Sequence, residues 1–196
     1  MREKGSGRRV FFLRMQPYRA FILSIVLGTL PLNLSGCGYS AVRMLPPQYR
    51  TIHVEAFQNQ IPITRETSER VGFIANIPQL EENVTRRVID RFLVDGHLRI
   101  TSHEDADLIL SGQILDFYRQ PIRRSDDETV EEYRLNLLAS VELRDRDGKV
   151  LLKDPALMGD VTYFVTGPSA KSESVAVDEL VTDFARRVVE WVIEFW

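Results

Sequence analysis

Apolar positions along this chain fall into one unbroken run, several two-residue alternations and two stripes of helical period. The run covers Ala20 to about Leu32, follows Arg8, Arg9, Arg14 and Arg19, and is shorter than the roughly 18 to 20 residues needed to span a bilayer. The first alternation, Thr51-Ile52-His53-Val54-Glu55-Ala56-Phe57, has the period of a half-buried strand. Leu98-Arg99-Ile100-Thr101 is a short strand candidate. Leu108 to Tyr118 is strand-like, with Gly112 as a bulge or close-approach point and Pro121 expected to close it. The clearest alternation places Tyr133, Leu135, Leu137, Ala139, Val141 and Leu143 on one face. Arg134, Asn136, Ser140, Glu142 and Arg144 take the other, and only Leu138 breaks the pattern. Asp147-Gly148 is a hairpin turn signal, and the last strand region, Val150 to Val165, is expected to be interrupted near Asp154-Pro155.

The first helical stripe is Leu80, Val84, Val88 and Phe92, with Ile89 alongside. Pro78 is expected to open this helix, since a first-turn residue needs no N–H. Glu81 and Glu82 then meet the positive end of the dipole, and Gly96 ends it. The second stripe is Val177, Leu180, Val181, Phe184, Val188, Trp191, Val192 and Phe195, capped by Ser172 or Ser174. Gln58 to Asn76 shows no clear period and reads as a loop or insertion, and Ile122 to Val130 as a polar loop. The expected fold is α+β: a two-layer sandwich of a mostly antiparallel, four- or five-stranded sheet with two helices packed on one face.

The apolar run is followed by small residues and by Cys37, the only cysteine. A basic stretch, an apolar core and a small-residue boundary are the order of a secretory signal. Leu34-Ser35-Gly36-Cys37 matches a lipobox, where signal peptidase II cuts before a diacylated cysteine. The expected divisions are residues 1–36 as the signal peptide, 37–49 as a lipidated, Pro46-Pro47-containing tether, and 50–196 as a single domain. Met15 would start a leader of more ordinary length than Met1 does. More than one acyl chain makes stable anchoring, and Gly38, which is not Asp, leaves the product free for export to the outer membrane. Its periplasmic side is the expected location.

Removing the leader changes the charge balance. The remaining 160 residues hold 19 basic against 27 acidic side chains, a net charge of −8, which argues against nucleic acid as a partner. With Cys37 acylated no thiol remains for disulfides or catalysis. His53, His97 and His103 are scattered, and His103-Glu104-Asp105 lacks the second histidine of a zinc-protease helix. Asp105 and Asp107 read as turn residues rather than cation ligands. No nucleophile elbow and no phosphate-binding glycine loop is present. The expectation is a non-enzymatic protein without metal or cofactor.

Ser35-Gly36-Cys37-Gly38-Tyr39, Leu45-Pro46, Ile52 to Phe57 with Asn59, and Leu80-Glu81-Glu82-Asn83-Val84-Thr85 together resemble the LPS-assembly lipoprotein LptE family. Ala106-Asp107 leading into Gly112-Gln113-Ile114, and Glu132-Tyr133-Arg134-Leu135, extend the likeness. The long Gln58–Asn76 insertion departs from it. The resemblance implies a plug inside an LptD-like outer-membrane barrel that helps pass lipopolysaccharide to the outer leaflet. Barrel interiors are polar, which suits a domain whose sheet shows polar residues outward.

In a meander, the loop with Arg123 and Arg124 and the connection with Lys171 emerge at one end. Three cations there suit the phosphates of a lipid A headgroup, and the resemblance puts basic residues at corresponding loops. A lipoprotein that docks on and activates a cell-wall synthesis enzyme is the alternative. Those proteins also pair a lipobox and polar tether with a small α/β domain.

Overall fold

Residues 46, 48–62 and 77–194 are described by a computed structural model of the chain. The leader, Cys37, most of the tether and positions 63–76 of the insertion lie outside the described residues. The strands are β1 (Thr51–Val54), β2 (Gln58–Asn59), β3 (Arg99–Ile100), β4 (Leu108–Arg124), β5 (Val130–Asp145) and β6 (Val150–Phe164). The helices are α1 (Leu80–Asp95), between β2 and β3, and α2 (Glu173–Glu194), after β6.

The strands form a six-stranded sheet in the order β3-β1-β4-β5-β6, with β2 paired to β4 above β1. The connections dictate the directions. Tight turns join β4 to β5 and β5 to β6, and these pairs are antiparallel over most of their length. The β1–β3 connection travels through α1, which permits a parallel pair, with Thr51 opposite Arg99. β1 and β2 also run parallel to β4. The expected α+β class, its two layers and its two helices are therefore present. The sheet exceeds the four or five strands expected, and its β1–β3 flank is parallel.

Both helices bury their stripes on one sheet face. Leu80, Val84, Val88 and Phe92 of α1 join Leu180, Phe184, Val188 and Val192 of α2 in a single core with Leu108, Leu110, Leu135, Leu137 and Val141. Two glycines make that contact possible. A Cβ on Gly112 would lie 2.0 Å from the Phe57 ring, so the close-approach reading of this position holds. A Cβ on Gly159 would lie 2.9 Å from that of Phe184. Edge strand β6 is also tied to α2 by charge: Arg187 reaches Asp160 at 2.8 Å and Asp183 at 2.7 Å.

Several boundaries differ from the expectation. Pro121 does not close β4; it pairs with Tyr133, and the strand continues to Arg124. Bulges at Ile114/Asp116 and between Pro121 and Arg124 let the long hairpin twist past the proline. The polar loop expected at Ile122–Val130 thus shrinks to Ser125–Thr129. The interruption near Asp154-Pro155 is a register shift inside a continuous β6, where Ala139 faces Leu157 and Val141 faces Asp154.

Pro78 does not open α1, because Gln79, in a left-handed conformation (φ 59°), stands between it and Leu80. Gly96 does end α1, at φ 79°, donating its N–H to Phe92 O. At α2, Ser172 Oγ accepts from Val175 N–H at 3.4 Å, so Ser172 rather than Ser174 is the cap. Gln58 and Asn59, expected in a loop, form a short strand. Asn136 is not on a solvated face: it is only 3 % exposed, and its Nδ2 has no hydrogen-bond partner among the described residues.

Candidate functional site

Arg123, Arg124 and Lys171 do share one end of the sheet. Arg123 pairs with Glu132 across the β4–β5 hairpin, and Glu132 pairs with Phe164 at the end of β6. The Lys171 N–H donates to Phe164 O at 2.9 Å, and Val165 N–H donates to Glu131 O at 2.9 Å. The connection between β6 and α2 is therefore stitched to the strands that carry the two arginines. The hairpin turn is held by Ser125, whose N–H and hydroxyl both bond Thr129 O. Glu128 adopts φ 65°, and Asp127 accepts from the Ser125 hydroxyl and the Thr129 N–H. The Ser125 hydroxyl above all, then Thr129, holds the Asp127 carboxyl below the usual range.

Each of the three cations already has an acceptor. Arg123 Nε lies 3.0 Å from Glu131 Oε2, with its side chain 61 % exposed. Arg124 donates to the Glu128 carbonyl at 3.0 Å. Lys171 Nζ lies 2.5 Å from Glu179 Oε1. Glu131 and Glu179 thus take Arg123 and Lys171, and Glu128 serves Arg124 through its backbone carbonyl. Exposed pairs of this kind are individually weak, so a phosphate with two negative charges can compete for the guanidinium forks.

Below this tip the structure brings together residues that sequence reasoning missed. Arg119 Nη1 donates to Glu173 Oε2 at 2.6 Å, and its guanidinium lies 4.5 Å from the centroid of the Tyr133 ring. Tyr133 stacks on Tyr163 at 6.0 Å, and the Tyr163 hydroxyl donates to Glu173 at 3.4 Å. Burial pulls the Arg119 pKa down, but the Tyr163 hydrogen bond and the Glu173 charge outweigh it, and the net shift is upward. Burial pushes the Tyr163 phenol up. Glu173 opens α2, so this cluster seats the helix next to the cationic tip. The one sequence signal was a charged residue two places after Phe117 in a strand whose apolar phase it continues.

The uncovered sheet face is polar nearer the other end. Glu142 bonds Lys153 at 2.9 Å and Arg144 at 2.5 Å, and the Lys153 bond foremost lowers its pKa. A recess of about 330 Å³ opens there, lined by Glu55, Gln58, Ser111, Gln113, Ser140 and Glu142 among others. His53 and His103 meet edge to face at 5.4 Å, and His53 Nδ1 is 3.1 Å from Thr101 O. Among the described residues no group of three or more histidine, cysteine or acidic side chains is placed to hold a metal ion.

The described residues thus form a two-layer α+β domain with a polar sheet face and a charged hairpin tip. The family model for LptE, lipopolysaccharide-assembly, matches residues 49–190, and the chain belongs to that family. No curated protein matches the chain. Solved structures similar to it include a hypothetical protein from Chlamydia trachomatis at 12 % identity and TM-score 0.47, over 74 % of this chain and 95 % of that one. A minor lipoprotein from Acinetobacter baumannii is similar at 15 % and 0.47, over 74 % and 92 %. The rare lipoprotein B from Shewanella oneidensis follows at 13 % and 0.42, over 71 % and 92 %.

Proposed function

We propose that the chain is cut before Cys37, acylated there, and held on the periplasmic side of the outer membrane as the non-catalytic plug of an LptD-like barrel. In that position it assists lipopolysaccharide on its way to the outer leaflet. Family membership supports the lipopolysaccharide part of this reading. The observation that carries the rest is an arrangement along one axis. β4 has 17 residues, roughly 55 Å at ~3.3 Å per residue. The chain enters the fold beside the start of β4, and Arg123, Arg124 and Lys171 stand at its far end. A protein anchored at one end thus presents exposed cations well away from its own lipid, where the phosphates of another lipid can meet them. The polar sheet face suits the water-filled interior of a large barrel.

The test is a mild-detergent pull-down of the acylated protein from outer membranes. Recovery of a large β-barrel supports the plug. Recovery of a murein synthase instead would establish the alternative, a lipoprotein docked on a cell-wall enzyme.

A further inference from the structure

The recess on the uncovered face of the sheet belongs neither to the cationic tip nor to the core. Its volume of about 330 Å³ lies at the small end of the range for ligand sites. Side-chain size explains why it is there. Ser111 and Gly112 of β4 and Ser140 of β5 are small, while Glu55 and Gln58 stand on the β1–β2 side. On the other side Glu142 faces Ser111 in the ladder and is paired in turn with Lys153 of β6.

The lining sorts ligands in three ways. Its charges are already matched: Arg144 and Lys153 both turn onto Glu142, at 2.5 Å and 2.9 Å, and Glu55 lies 4.0 Å from His103 Nε2. A phosphate would find no unpaired cation there and two carboxylates that repel it. The backbone beneath is spent as well. Gln113 pairs with Gln58 on one side and with Ser140 on the other, so a peptide strand has no free edge to join at this point. The neutral side chains, by contrast, are available. The hydroxyls of Ser111 and Ser140 and the amides of Gln58 and Gln113 make no side-chain hydrogen bond to the described residues. Water therefore holds them, and a ligand rich in hydroxyls can take its place. Each of these four groups both donates and accepts, as does every hydroxyl of a sugar.

The geometry points to a saccharide subsite in this recess, which takes neutral sugar residues through Gln58, Ser111, Gln113 and Ser140. The inference rests on the reading proposed above for the source of the sugar, the oligosaccharide of lipopolysaccharide, and it divides the ligand between two places. The tip takes phosphates and the recess takes sugar. Gly112 and Arg123 are 11 positions apart on β4, roughly 36 Å at ~3.3 Å per residue, so the two places meet different parts of one extended ligand. Cell-wall glycan offers the same hydroxyl chemistry, and the test separates the two sources.

The protein used is the acylated, full mature chain in a sugar-free detergent, read by saturation-transfer NMR from protein to sugar protons. One probe is the deacylated, dephosphorylated core oligosaccharide of lipopolysaccharide, and the other is the N-acetylglucosamine–N-acetylmuramic acid disaccharide of the cell wall. Transfer to the core oligosaccharide is expected. Its affinity should fall at least fivefold in Ser111→Val with Ser140→Val, and again in Gln113→Ala, which keeps the inference testable should the double variant fold poorly. The charge-reversed tip, Arg123→Glu with Arg124→Glu and Lys171→Glu, should leave it unchanged. No transfer to either sugar from folded protein overturns the inference, and so does equal affinity in the recess variants. Transfer to the cell-wall disaccharide alone supports the recess and overturns the lipopolysaccharide reading on which its source rests. A barrel recovered in the pull-down without sugar binding sinks the recess alone, and sugar binding without a barrel sinks the plug alone.

Discussion

The two ends of this domain use charge in opposite ways. At the entry end, one carboxylate, Asp107, collects two backbone N–H groups and a hydroxyl, and the chain is fixed there. At the hairpin end, Arg123 and Lys171 hold single, partly exposed carboxylates, and Arg124 holds a turn carbonyl. The first pattern spends its charge on structure. The second leaves donors whose present bonds are weak enough to exchange for a ligand. Between them lies the shared core, which should dominate stability wherever it is disturbed.

The largest effect separating these regions is expected from that core. Phe184→Ala removes a fully buried ring that packs edge to face on Phe57 at 6.1 Å. It should lower stability by ~3–5 kcal/mol, read from the midpoint of urea unfolding. Gly112→Ala forces the Phe57 ring aside and should cost ~1–3 kcal/mol in the same measurement. A loss near zero would show that the ring is not held as described.

Asp107→Asn comes next, at ~1–2 kcal/mol, the upper end of a charged hydrogen bond being discounted for the partial exposure of the carboxylate. Its pH dependence gives a sharper reading. The Arg50 N–H bond above all, against the opposing effect of burial, lowers the Asp107 pKa from 3.8. A carboxyl depressed in the folded state adds stability that is fully present above the unfolded value of about 3.8 and is lost as pH falls through the folded value. Asp107→Asn should therefore flatten the stability profile in that acid window and leave its shape near neutrality unchanged.

The smallest change in stability belongs to the tip. Arg123→Glu with Arg124→Glu and Lys171→Glu should shift unfolding by ~1 kcal/mol or less, as for other exposed ion pairs, while weakening lipopolysaccharide binding strongly. Unchanged binding in the folded triple variant would remove these residues from the site.

Much of the architecture was legible because burial on one side writes a period into the chain. Both helices, the Tyr133–Arg144 alternation and the Asp147-Gly148 turn carry that mark. The parts that were misread are those where burial does not follow period. Asn136 is buried although it lies on the polar phase. Pro121 was read as a terminus, yet bulged strand geometry accommodates it. The cations were placed correctly at one end by topology, whereas Arg119, Tyr133, Tyr163 and Glu173 come together from positions far apart in the chain, where no local pattern marks them.

The amino-acid sequence by itself determined the two amphipathic helices, the antiparallel meander and the acidic balance after residue 36, since each depends on neighbouring residues alone. Only the tertiary structure decided the parallel flank at β1 and β3, the carboxylate clamp at the chain entry, and the acceptor that each tip cation takes. Those features are contacts between segments up to 57 residues apart, and which partners meet is settled by how the sheet and helices pack.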